Sequence, residues 1–168
     1  MVGVVLFVLV PLELAAPEPP TLSGKSAEKS WQRWLLEDEL SRKLSDLSTR
    51  FRPLAVELIA RCAQEGIPLM VLDTLRTEAE QDENIQRGVS WTKNSKHLPQ
   101  LPEMRSEAID VAPYAMYQLK GPDKLQWDGN DPVWEKIGKI GESLGMVWGG
   151  RWKNHRDSAH FQGPWTKL

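Results

Sequence analysis

Cysteine is almost missing from this chain: Cys62 stands alone among 168 residues. A single thiol builds no intramolecular disulfide and no multi-cysteine zinc site, so any metal must be held by histidine and carboxylate. Histidine is scarce as well, with three in all, and neither sign of charge is in excess, Lys and Arg totalling 21 against 23 for Asp and Glu. Such a balance has no surplus of cations to set against a phosphate backbone and argues against a nucleic-acid partner. Long hydrophobic runs are lacking too. The longest, Met1 to Val10, is about half of the roughly 20 residues a membrane-spanning helix needs, but it has the length of a signal-peptide apolar region. No Lys or Arg precedes it, and Leu14-Ala15-Ala16 before Pro17 is a poor cleavage site. Residues 1–16 are therefore expected to be a signal-like or anchoring segment, giving export to the periplasm or cell envelope and contact with a membrane.

What is present reads as one main domain behind a leader. Residues 17–30, opening on Pro-Glu-Pro-Pro, have the composition of an extended linker. Over residues 31–48, Trp31, Trp34, Leu35, Leu40, Leu44 and Leu47 recur at roughly helical spacing and predict an amphipathic, accessory helix. The remaining 49–168 form the domain proper. Phe51, Leu54, Leu58, Ile59 and Cys62 mark one face of a helix that tolerates Pro53 in its first turn and stops at Gly66, with Cys62 as a core residue. Ile67 to Leu72 predicts a buried strand, and Thr77 with Glu80 has capping-box spacing for a helix running towards Gly88. Alternation in Glu107 to Val111 turns Ala108 and Asp110 to one face and Ile109 and Val111 to the other. Asp131-Pro132 predicts the start of a helix stopped at Gly145, followed by short strands at Met146–Trp148 and Ala159–Gln162 around a glycine-rich loop. The order implies an α+β fold, helices packed on a small, mostly antiparallel sheet, with the site in a cleft on that sheet.

Two of the three histidines sit in suggestive company, in Ser95-Lys-His97 and Asp157-Ser-Ala-His160. A catalytic zinc takes three protein ligands and one open position, a requirement that His97, Asp110 and His160 meet. On a strand, His160 and Gln162 share one face while Phe161 turns to the core, so His160 can meet Asp110 across paired strands. Asp157, close by in sequence, is where a general base for a metal-activated water belongs. Isolated His and Asp residues are more often surface or satisfied core than ligands, and spacing alone leaves both readings open. His155 is a weaker ligand candidate, and Ser95 lacks the context of a nucleophile. Trp148 reads as structural bulk, whereas Trp127 and Trp152 are candidates to line a groove.

Four stretches change the balance: Thr74-Leu-Arg76-Thr-Glu-Ala-Glu-Gln81, Ser95-Lys-His97, Ser106-Glu-Ala-Ile-Asp110-Val-Ala-Pro-Tyr114, and Trp148-Gly-Gly-Arg-Trp152 with Asp157-Ser-Ala-His160-Phe161. In this order they resemble the D-alanyl-D-alanine carboxypeptidase and L-alanyl-D-glutamate endopeptidase family of zinc peptidases, especially its phage-endolysin branch. The resemblance implies one zinc ion held by His97, Asp110 and His160, Asp157 as catalytic acid and base, and Arg76 holding a substrate carbonyl or carboxylate. It further implies a peptidoglycan stem peptide as substrate, cut at the L-Ala–D-Glu bond, with trimming of a terminal D-Ala as the enzymatic alternative. A non-catalytic, zinc-containing wall-binding module is the alternative of another class. A monomer is expected, and a cytoplasmic phage lysin released at lysis is the alternative to export. The family's short link from His to Asp is replaced here by the longer Leu98–Glu107, expected to form a loop over the cleft.

Overall fold

The computed structural model describes residues 43–116 and 128–164. The leader, the linker, most of the accessory helix and Trp127 lie outside the described residues. What is described of the accessory helix is a short helical turn at residues 43–45, after which Leu47 is fully buried. Leu44 and Leu47 both pack in the domain core.

Helix α1 spans Arg52–Gln64 with Pro53 in its first turn, where the missing N–H costs no helical hydrogen bond. Gly66 ends it with a left-handed φ of 73°, a conformation that favours glycine. Strand β1 is Leu69–Asp73, later than the expected Ile67 start; Pro68, which has no N–H to give a ladder, stands just before it. Helix α2, Glu78–Gln86, carries the predicted capping box: Thr77 accepts from the Glu80 N–H while the Glu80 carboxylate accepts from the Thr77 N–H. Strand β2 is Ala108–Pro113, α3 is Val133–Ser143, β3 is Val147–Trp148 and β4 is His160–Gln162. Pro132 holds the N-cap of α3, one residue later than expected, and the Asp131 carboxylate before it accepts from the Val133 N–H at 2.8 Å.

The four strands form one antiparallel sheet in the order β1-β2-β4-β3. Helices α1 and α3 pack against each other. Leu58, Cys62, Ile109, Val111, Trp134, Ile137 and Phe161 join in one core. Burial, aided by the charge of Glu65, pushes the Cys62 thiol up to about 11, which keeps it protonated and inert at neutral pH.

Two glycines of α3 let rings of the sheet sit against its backbone. A Cβ at Gly138 would lie 2.2 Å from the Trp148 ring, and one at Gly141 would lie 2.4 Å from the Phe161 ring. Neither ring has room to retreat, because both are buried in the core. Gly138→Ala is therefore expected to destabilise the fold by about 2–3 kcal/mol, read as a lower denaturation midpoint in urea.

The Leu98–Glu107 insertion does not cover the cleft. It folds as a tight turn closed by pairing of Gln100 with Arg105, and it docks on the segment before α1. The Glu103 carboxylate accepts from the Thr49 N–H and hydroxyl at 2.8 and 2.7 Å, and Arg105 donates to the Ser45 carbonyl. Local polar contacts thus hold the loop away from the site, with Leu101 at its exposed tip.

Candidate metal centre and cleft

Asp110 and His160 are direct cross-strand partners on β2 and β4. Their neighbours Ile109 and Phe161, also paired, are fully buried in the core. The strand period of two thus sends the ring and the aliphatic chain to the core, and the carboxylate and the imidazole to the cleft. His97 comes from a turn rather than a strand. Its N–H donates to Ser95 Oγ at 3.2 Å, and its carbonyl accepts from the Arg76 N–H at 2.9 Å. Beneath that turn, Lys96 and Glu107 form a buried ion pair at 2.7 Å, joined by Arg50. Burial pushes the Glu107 carboxyl up, but the Lys96 and Arg50 cations outweigh it and hold the group below its usual value.

The hydrogen bonds of the two imidazoles define which nitrogens are free. His97 Nδ1 lies 2.5 Å from the Thr74 carbonyl, which only accepts, so Nδ1 carries the hydrogen and Nε2 the lone pair. His160 Nε2 lies 3.0 Å from Gln162 Oε1, so the lone pair falls on Nδ1. Those lone-pair nitrogens are 3.2 Å apart, and each approaches Asp110 Oδ1, at 3.1 Å for His97 and 2.9 Å for His160. Three acceptors facing one another at such range repel unless a cation or proton lies among them. Ligands about 2.0–2.1 Å from a tetrahedral metal sit about 3.3 Å apart, so the cluster is within a few tenths of an ångström of that spacing. The donor set therefore fits a divalent metal with two imidazoles and one carboxylate, and it leaves a coordination position towards the cleft.

The electrostatics agree. Burial pushes the Asp110 carboxyl up, but His97 and His160 hold it well below the usual carboxylate range. Where no cation sits among them a proton takes that place: burial pushes His160 down, but a hydrogen bond from the protonated ring to Asp110 and that group's charge raise it above the ordinary imidazole value. The carboxylate demands a positive partner.

Arg76 reaches the site through Asp110. Its Nη2 donates to Asp110 Oδ2 at 2.7 Å, its Nε to Asp73 Oδ2 at 2.5 Å, and its Nη1 to Gln81 Oε1 at 3.3 Å. A break in register between Val71 and Asp73 brings Asp73 beside Asp110. The guanidinium therefore fixes the outer oxygen of Asp110 and turns Oδ1 to the histidines. In this geometry the guanidinium grips the candidate ligand and also lines the cleft.

Asp157 stands on the wall of the same cleft, a cavity of about 500 Å³ that also contains His97, Asp110 and His160. Its N–H donates to the Gly149 carbonyl at 3.1 Å, and a Cβ on Gly149 would come within 2.6 Å of the Asp157 carbonyl. That close approach explains a glycine at the start of the loop. Burial, then the charge of Asp110, raises the Asp157 carboxyl above its ordinary value. Trp152 faces His160 with ring centroids 5.1 Å apart, whereas Trp148 is buried and donates its indole N–H to the Ser158 carbonyl. His155 is outside the cluster and stacks on Trp91.

Sequence reasoning named Thr74 and Gln81 as the ends of a motif without giving either a role, and it did not single out Trp91. Gln81 is buried and spans the gap between Arg76 and the cleft wall, its amide nitrogen donating to Ser90 Oγ and the Thr92 carbonyl at 2.8 and 2.6 Å. Its place at the end of the Thr74–Gln81 stretch was the available signal.

A small antiparallel α+β domain with two imidazoles and a carboxylate converging at the floor of a cleft defines a class of potential single-metal centres. Comparison with known proteins shows what the chain is similar to. Residues 89–163 match the family model described as D-alanyl-D-alanine carboxypeptidase, and the family resemblance read from the sequence motifs is borne out. The L-alanyl-D-glutamate peptidase of Listeria phage A118 is 29% identical over 126 residues, covering 73% of this chain and 41% of that protein. The peptidoglycan L-alanyl-D-glutamate endopeptidase CwlK of Bacillus subtilis (strain 168) is 27% identical over 123 residues, covering 70% of this chain and 74% of its own length. The L-Ala D-Glu endopeptidase ChiX of Serratia marcescens has the same fold, at a TM-score of 0.50 and 24% identity over 73% of this chain and 84% of its own. The match thus spans well under half of the phage protein and most of the Bacillus one.

Proposed function

We propose that this protein is a zinc peptidase that hydrolyses the stem peptides of peptidoglycan at the L-Ala–D-Glu bond. The observation that carries the reading is the convergence of His97 Nε2, His160 Nδ1 and Asp110 Oδ1, each outer nitrogen already tied to an acceptor. The names of the phage and Bacillus relatives support the choice of bond.

Zinc, when bound by His97, Asp110 and His160, supplies Lewis-acid polarisation and a water acidic enough to attack near neutral pH. Asp157 would take up the proton of the attacking water and pass it to the departing amine. A carboxyl whose affinity for protons is raised suits both halves of that transfer. Arg76 acts as a positioning residue through Asp110, and Thr74 and Gln162 hold the imidazoles in the required tautomers. The protein acts alone on the wall, reaching it by export through residues 1–16 or by release at lysis.

The description of the matching family favours a second reading, removal of a terminal D-Ala. Mass spectrometry of muropeptides digested by the zinc-loaded protein separates the two. The endopeptidase leaves L-Ala on the glycan and frees the rest of the stem, whereas the carboxypeptidase releases one alanine. No release from any purified wall would overturn both enzymatic readings and leave the wall-binding module.

A further inference from the structure

Trp91 is 58% exposed, although Trp134 and Trp148 of the same domain are buried. Its backbone is nonetheless fixed on both sides. Gln81 holds Ser90 Oγ and the Thr92 carbonyl, and the Ser90 N–H donates to the Asn84 carbonyl at 3.0 Å. The ring itself is braced, stacked on His155 at 5.1 Å with planes 10° apart and edge-on to Trp152 at 6.2 Å. An indole held rigidly in water adds little to the core; its shape is that of a preorganised platform.

Two cavities meet at this ring. One is the cleft with the candidate metal centre; the other, of about 810 Å³, shares Trp91 and Asp157 with it and is walled also by Asn130, Arg156 and Ser158. The part of the ring that His155 and Trp152 leave exposed, beside a cavity walled by an amide, a serine and a guanidinium side chain, matches the two sides of a pyranose, whose C–H face stacks on aromatics while its hydroxyl and acetamido groups take hydrogen bonds. We propose that Trp91 and this second cavity bind the amino sugar that carries the stem peptide.

The proposal rests on the peptidoglycan reading and deepens it. In a muropeptide the L-Ala nitrogen is bonded to the lactyl group of the sugar, so the L-Ala–D-Glu bond lies one residue from it. A residue spans at most about 3.6 Å, so a sugar there must sit in a cavity continuous with the catalytic cleft. The terminal D-Ala–D-Ala bond is several residues further along, where a platform beside the metal centre would be out of reach of the sugar. The platform accordingly selects the endopeptidase reaction over the carboxypeptidase one.

The test uses the full, zinc-loaded chain and two readouts. Indole N–H resonances are followed by NMR while the peptide-free disaccharide of N-acetylglucosamine and N-acetylmuramic acid is titrated, the Trp91 signal being the one missing from Trp91→Ala. Hydrolysis is compared on a disaccharide-linked tetrapeptide and on the same peptide capped by a plain acetyl group. The expected results are a saturable shift of the Trp91 resonance and a fall of at least tenfold in the preference for the sugar-linked substrate in Trp91→Ala, with Trp91→Phe recovering part of it. Leu101→Ser, on the distant turn, should leave the preference unchanged. An unmoved Trp91 resonance, or an equal loss on both substrates, overturns the proposal. A shift without hydrolysis of either substrate upholds the sugar site and overturns the peptidase reading instead.

Discussion

Alanine in place of His160 is expected to release the metal and to lower muropeptide hydrolysis by on the order of 10³-fold or more, because neither Lewis acid nor activated water remains. The loss is local. His160 has its Nδ1 on the Asp110 carboxylate and its Nε2 on Gln162, whereas the neighbouring Phe161, not His160, fills the core. Circular dichroism should therefore stay native while zinc content, measured on protein purified and dialysed without chelator, falls well below one ion per chain. Full zinc occupancy in His160→Ala would remove His160 from the ligand set. Retained activity would remove the metal from the mechanism.

Asp157→Asn should separate chemistry from binding. Loss of a positioned general base costs roughly 10²–10⁴-fold in turnover, yet all three candidate ligands remain, so zinc content should not change. The stability of the metal-free protein provides an independent check. Burial and the nearby charge of Asp110 raise the Asp157 carboxyl in the folded protein, so the folded state binds this proton more tightly than the unfolded chain. Stability is then lost as pH rises from the unfolded value of about 3.9 through the raised folded one, and the ionised group is a cost at neutral pH. Metal-free Asp157→Asn should melt higher than wild type at pH 7, and the gain should shrink as pH falls towards about 4 and be absent below it. An equal melting temperature at both pH values would mean that Asp157 carries no such cost.

The features legible in the sequence are those written in local periods. Thr77 and Glu80 specify a helix start through three residues of spacing. Alternation in Ala108–Val111 and His160–Gln162 fixes which side chains face the cleft, and this is why Asp110 and His160 can be read as facing one another before any coordinates, whereas His97 and Asp157 are read from the motifs around them. Features that depend on what a distant segment offers are not written that way. The Leu98–Glu107 turn contains no sign that Thr49 and Ser45 will anchor it, and so its expected place over the cleft is wrong. Nor does Arg76 announce that Asp73 and Asp110 will occupy its guanidinium. Trp91 is indistinguishable from a core tryptophan until the polar contacts on either side of it are known.

The glycine notches of α3 have a consequence beyond packing. Trp148 lies against Gly138 and Phe161 against Gly141, on the two adjoining strands that end the sheet. A ring lodged against a bare stretch of helix acts as a key, barring the last strand from slipping lengthwise. A slip of one residue would send His160 inward and Phe161 out. The sub-ångström tolerance of the ligand cluster is thus inherited from an apolar lock on the opposite face. Mutations that merely loosen that lock should be detected first by metal affinity, well before any spectroscopic sign of unfolding.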